Sequence, residues 1–133
     1  MIICCAALWK IALATVVGMA IGCAWYSPWF FVGPLWMRIS GQTVYSCSGS
    51  EIFGSFVISV LVALGFYFLL YVAGVPCYTR GIGLGALVWL FFGVSSNICS
   101  VFFGGRPFKL WALESLGQLV HYIAVSATLF YLK

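Results

Sequence analysis

Residues 52–73 read IFGSFVISVLVALGFYFLLYVA, an apolar run with no Asp, Glu, Lys or Arg in it. A helix needs roughly 20 apolar residues to cross about 30 Å of hydrocarbon, so this stretch alone is long enough to do so. It is apolar all round, whereas a transmembrane barrel strand alternates polar and apolar residues over about ten positions. Three similar runs accompany it, over about 8–26, 82–103 and 110–132. Residues that break helices or prefer the head groups separate them: Ser27-Pro28, Gly74-Val75-Pro76, and Gly104-Gly105-Arg106-Pro107. The expected fold is an all-α integral membrane protein, one domain over residues 1–133 with four transmembrane helices. An even number of spans puts both termini on one side.

Composition demands the same solvent. Of the 133 residues 65% are hydrophobic and only 6% charged, against about 25% charged in an average soluble domain. So few charges cannot furnish the polar shell of a soluble fold. At the N-terminus Lys10 follows the first apolar residues instead of preceding them, and Gly22-Cys23-Ala24 is a weak cleavage site. The first helix is therefore expected to be retained and not removed as a signal peptide.

Charge and cysteine exclude several functions. A net charge of +4, spread thinly over the span ends, does not suggest nucleic acid. Lys10, Arg80 and Lys133 fall on the side of the termini, and Arg38, Arg106 and Lys109 on the other. That balance leaves orientation open under the positive-inside rule. The six cysteines show no C-x-x-C or Cys/His spacing, so they read as packing residues and no metal site is expected. With one His, two Glu and no Asp, the inventory for catalysis is nearly empty. No enzyme and no cofactor are expected, bound lipids apart.

Between the first two spans lies the one sizeable loop, with Pro28-Trp29-Phe30-Phe31 and Gly33-Pro34-Leu35-Trp36-Met37-Arg38. Pro34 suits the first turn of a helix, and residues 34–40 read as a short interfacial helix. Trp25, Tyr26, Trp29, Trp36 and Arg38 form either an aromatic belt at the bilayer surface or a docking surface for a partner. Ser48 and Glu51 have the spacing of a capping box for the second span.

Membrane helices associate through small residues and a few hydrogen bonds. Three stripes supply them: Ala14/Gly18/Gly22, Ser55/Ser59/Ala63, and Gly81/Gly85 with Gly93 further along. They read chiefly as grooves for the chain's own bundle, a homodimer being the other use. On the fourth helix Glu114, Gln118, His121 and Thr128 share one narrow face, with Gly117 at its edge. A charge at the centre of a span costs about 2.5–3.5 kcal/mol, so this face must meet protein or a cavity. A tight hairpin centred on Gly104 to Pro107 brings Asn97 to the level of Glu114 and Ser96 to that of Ser115. Asn97, Glu114, Gln118 and His121 then form either an interhelical hydrogen-bond cluster, with Glu114 neutralised by Lys109 or by protonation, or a proton or ion path.

Ala24-Trp25-Tyr26-Ser27-Pro28, followed by Phe31, Gly33, Trp36 and Met37, resembles the W-Y-S-P…F-G…W-M signature of a family of small four-span membrane proteins, domain of unknown function 1761. The run from Phe103 to Trp111 and the later Gly117-Gln118-Leu119-Val120 are similar to that family's last loop and final helix. Val32 is inserted where the family reads F-G directly. The resemblance implies four spans and carries over no activity. Small multidrug transporters have four spans too, but they carry an essential carboxylate in the first, where this chain has none.

The function expected is that of a non-catalytic membrane protein working by interaction, a small accessory or structural subunit of a larger membrane complex, an energy-converting one being a candidate host. The alternative is a small proton or ion channel or transporter using the polar face of the fourth helix. Membrane lipids and other membrane subunits are the expected partners. A bacterial plasma membrane and an organellar (mitochondrial) inner membrane both fit.

Overall fold

A computed structural model describes residues 5–27, 32–41, 49–74 and 78–132, and no strand occurs among them. Four helices are regular: α1 Cys5–Trp25, α2 Val32–Ser40, α3 Gly49–Ala73 and, last in the chain, α5 Phe108–Tyr131. Helix α4 is composite. It begins as Tyr78–Val88, widens into a π-helical turn over Trp89–Val94, and finishes in two short pieces, Ser95–Asn97 and Cys99–Phe102. The cluster after the wide turn explains part of this irregularity. Ser96 Oγ donates to Phe92 O at 2.6 Å and Asn97 Nδ2 to Gly93 O at 2.9 Å, and such back-bonding competes with the helical ladder.

Helix boundaries fall within a few residues of those expected, and the interfacial helix starts at Val32 instead of Pro34. Glu51 lies in the first turn of α3, where a carboxylate complements the helix dipole. Its capping partner Ser48 lies outside the described residues, as do Cys4, Cys47 and Cys77.

Three helical stretches are long and apolar enough to cross a membrane: Ala7–Trp25, Gly49–Ala73 and Thr79–Phe102. Helix α5 has the length, at 24 residues, but its polar face lowers its hydropathy below theirs. Its position explains how it carries that face. It packs against α1, α2, α3 and α4, while α1 also packs on α3. Around it the outer helices present large apolar side chains outward, among them Phe53, Val72, Phe91 and Phe103, the last 90% exposed.

The three small-residue stripes are turned into the bundle over most of their length, although Ser55 is exposed and no atom lies within 4 Å of a Cβ at Gly22. Ala14 and Ala63 are fully enclosed, in a cluster with Ile11, Phe66, Val125 and Leu129. On α4, Gly81 lies against Phe130, Gly85 against Tyr122 O and Ser126, and Gly93 against Gln118. These pairs keep the hairpin register expected of a turn at Gly104 to Pro107. A buried interhelical hydrogen bond helps lock that seam, from Ser126 Oγ to Gly81 O at 2.7 Å.

Helix α1 crosses α5 at Gly18, where the His121 imidazole and Val125 occupy the space of a side chain. A Cβ there would stand 2.5 Å from His121 Nε2. Overfilling a packed core costs about 1–3 kcal/mol, so Gly18→Leu should lower the thermal midpoint in detergent clearly. Leu69→Phe, at a position 41% exposed on α3, should stay within about 0.5 kcal/mol of wild type. Equal midpoints would mean that Gly18 faces lipid.

Candidate functional site

Three consecutive residues near the start of α5 each accept a hydrogen bond from a different tryptophan. Trp25 Nε1, at the end of α1, donates to Leu113 O at 3.2 Å. Trp36 Nε1, on α2, donates to Glu114 Oε1 at 3.1 Å. Trp89 Nε1, in the π-helical turn of α4, donates to Ser115 O at 2.7 Å. An indole carries a single N–H donor on a large apolar body, which suits a contact that must be specific at one end and fill space elsewhere. Gly117 makes the first contact possible, since a Cβ there would lie 2.7 Å from Trp25 Nε1. Tyr26 completes the wall, edge-on to Trp36 with ring centres 5.5 Å apart.

Glu114 is paired, but not by the expected cation. Arg106 Nη2 lies 2.7 Å from Glu114 Oε1, with the two side chains 40% and 26% exposed. Lys109 is exposed. At 100° per residue it lies five positions, or roughly 140°, around α5 from Glu114, so it cannot reach the same face. Arg106 precedes the helix and reaches back along it. Asn97 likewise meets Gln118, one turn beyond the level of Glu114: Asn97 Nδ2 donates to Gln118 Oε1 at 3.0 Å. Gln118 Nε2 then donates to Tyr122 OH at 3.1 Å. Thr128 bonds back to Ala124 O within α5.

These groups surround a cleft of about 420 Å³ at the end of the bundle where α1 finishes and α5 begins. Asn97, Glu114, Gln118 and His121 all line it, together with Trp25, Tyr26 and Arg106. Helix α3 adds Ser55, Ile58, Ser59 and Val62. Toward the other end of the bundle it is closed by the apolar cluster of Ile11, Ala14, Ala63, Phe66, Val125 and Leu129. His121 stands at this border, its Nε2 buried against Gly18 without a hydrogen-bond partner. Ser115 Oγ and Trp111 Nε1, on two more lining residues, are also buried without one.

Of the aromatic and basic residues expected at the surface, Trp25, Tyr26 and Trp36 are turned toward α5, and the two indole N–H groups are taken up within the chain. Arg38 is exposed on α2, and Trp29 lies outside the described residues. The site also draws in residues that spacing does not mark. Trp89 lies inside an apolar run, where no spacing singles it out. Arg106 reads as a loop cation, and only the path of the loop brings it back to Glu114. Among the described residues no three His, Cys, Asp or Glu side chains gather as metal ligands. None of the hydrogen bonds among these residues activates a hydroxyl or thiol through His121. The lining offers one neutralised ion pair, several uncharged hydrogen-bonding groups and aromatic walls, which is equipment for holding a ligand.

Removing Arg106 leaves Glu114 with Trp36 as its only partner among the described residues. Exposed pairs contribute about 0–1 kcal/mol and breaking a buried pair costs 3–5. For this half-exposed pair, Arg106→Gln should cost about 1–2 kcal/mol in unfolding experiments in detergent. Lys109→Gln should cost almost nothing, and a reversed order would return Lys109 to the role of partner.

No curated protein and no solved structure matches this chain. One family does, over residues 9–130, a stretch that includes every lining residue of the cleft. The chain belongs to the family described as Protein of unknown function (DUF1761).

Proposed function

We propose that this chain is a four-span integral membrane protein that does no covalent chemistry and works by binding, as a small accessory component of a larger membrane assembly. Its binding site is the cleft at the head of α5. The observation that carries this reading is the construction of the cleft: the polar side chains of four helices converge on it, yet an apolar core closes it on one side. Such a space can hold a ligand but offers no continuous polar path. Counting α5 as the fourth span follows from its length and its surroundings, since helices on several sides shield its polar face. An apolar exterior rich in aromatic residues suits both lipid and neighbouring subunits. A bacterial plasma membrane or a mitochondrial inner membrane would accommodate it.

A second reading, a proton or ion carrier using α5, is favoured by one fact: Glu114, Gln118 and His121 line the same cleft. Against it, Glu114 is tied to Arg106 and Trp36, and Gln118 to Asn97 and Tyr122. No hydrogen bond among the described residues links Glu114 to Gln118 or Gln118 to His121.

Proteoliposomes carrying a trapped pH dye separate the two. The binding reading expects no protein-dependent proton flux from wild type or from Glu114→Gln, and recovery of a partner when the tagged protein is extracted from its own membrane. An amide keeps one acceptor oxygen, so Glu114→Gln should destabilise by only about 0.6–2 kcal/mol. Robust wild-type flux that disappears in both Glu114→Gln and His121→Leu would establish the carrier instead. The span count has its own check: Cys47 and Cys77 should label from opposite sides of the membrane. Labelling of both from one side would remove the four-span arrangement.

A further inference from the structure

The cleft has a side as well as an end. Helix α3 packs on α1 and α5, and α4 packs on α5, but α3 and α4 scarcely meet. The gap between them lies over the polar face of α5. At the start of α3, Ile52, Phe53, Phe56, Val57 and Ile58 are all exposed. Three consecutive residues at 100° steps look in three directions, so this part of the helix stands free of the bundle. Ser55 and Ile58 on it nevertheless line the cleft. In a four-span protein that gap opens into the bilayer.

The lining combines polar and apolar groups along the opening, with the charged pair at its outer end. At the end facing the head groups lie Arg106 with Glu114, and Asn97 with Gln118. Farther in, Met19, Ile58 and Val62 line it beside Ser59, His121 and Tyr122. The formal charges of the lining, one Arg and one Glu, cancel. An anionic ligand would compete for Arg106 and leave the Glu114 carboxylate poorly compensated, and a cation would do the reverse. A ligand with both charges, or neither, disturbs the pair least.

Resting on the four-span binding reading, we propose that the cleft holds one phospholipid with a zwitterionic head group, admitted sideways between α3 and α4. Its head lies by the Arg106–Glu114 pair and the Asn97–Gln118 amides. One acyl chain runs inward along Met19, Ile58 and Val62 and ends above the apolar floor. A water-soluble ligand would need only the open end and would gain nothing from the apolar flank.

Gly22 supplies the test, because it lines the cleft and a Cβ there has no atom within 4 Å. Gly22→Leu should therefore fill the space without displacing the protein. The full chain is incubated in mild detergent with dioleoylphosphatidylcholine or dioleoylphosphatidylglycerol and examined by native mass spectrometry. Wild type should retain one phosphatidylcholine per chain under activation that strips phosphatidylglycerol, and Gly22→Leu should retain at least tenfold less. Val16→Leu, on the outward side of α1 where Val16 is 62% exposed, should bind as wild type does and so controls for lipid held around the outside. Should Gly22→Leu fail to fold, Ile58→Trp fills the same space from the free part of α3 and should have the same effect. Equal retention by wild type and the filled variant overturns the proposal, as does a preference for the anionic lipid. Either result leaves the binding reading to the flux assay, and flux that refutes the binding reading leaves the lipid measurement to be judged alone.

Discussion

The architecture depends on one constraint: the polar face of α5 has to be covered by other helices. Glu114, Gln118 and His121 lie along it within a largely apolar helix, and in the proposed membrane setting each left bare would lack any partner. Covering that face takes helices from several directions, which is why the least apolar of the long helices sits at the centre. The outer helices can then be apolar on their remaining sides, and their small residues belong where they approach α5. In the proposed four-span arrangement the polar groups need protein around them because the solvent there is not water, and they define a register where greasy surfaces alone would permit sliding.

Hydrogen bonds from tryptophan sharpen that register. Leu113, Glu114 and Ser115 each accept from an indole of a different helix, so a short stretch of α5 fixes the positions of α1, α2 and α4 together. Individually such bonds contribute little in membranes, about 0.6–2 kcal/mol. Jointly they secure the rim of the cleft at the end where α3 is least attached, so the rim can stay fixed while one wall remains free.

What the sequence made legible follows from which physical signals are local. Apolar length and the breakers between runs located the helices, and the spacing of Glu114, Gln118 and His121 identified the face that had to be covered. The hairpin turn was enough to set α4 against α5, as Gly81–Phe130 and Gly85–Ser126 show. Partner choice was less accessible. Lys109 is nearer to Glu114 in sequence than Arg106, but the helix turns it away, and only the path of the loop brings Arg106 back. Trp25 and Trp36 stand where a membrane belt would place them, so nothing in their spacing told inward from outward. The cleft itself arises from the separation of α3 and α4, a relation between helices that share no sequence signal.

The wide turn in α4 has a consequence for phase. Gly81, Gly85, Trp89, Gly93 and Asn97 all touch α5, a strict repeat of four residues. An α-helix turns once in 3.6, so a four-residue repeat on a straight helix drifts by about 40° at each step and soon leaves the neighbour it started against. The π-helical turn over Trp89–Val94, with its larger count per revolution, absorbs much of that drift, and Asn97 still points at Gln118. Helix α4 therefore behaves as a vernier between two helical pitches, and its length in residues is as much a part of the site as the side chains are. A residue lost from the regular turns before Trp89 would swing everything beyond it by about 100° if the wide turn held. One lost from the wide turn itself would close it to an ordinary α-helical turn and leave Asn97 facing Gln118.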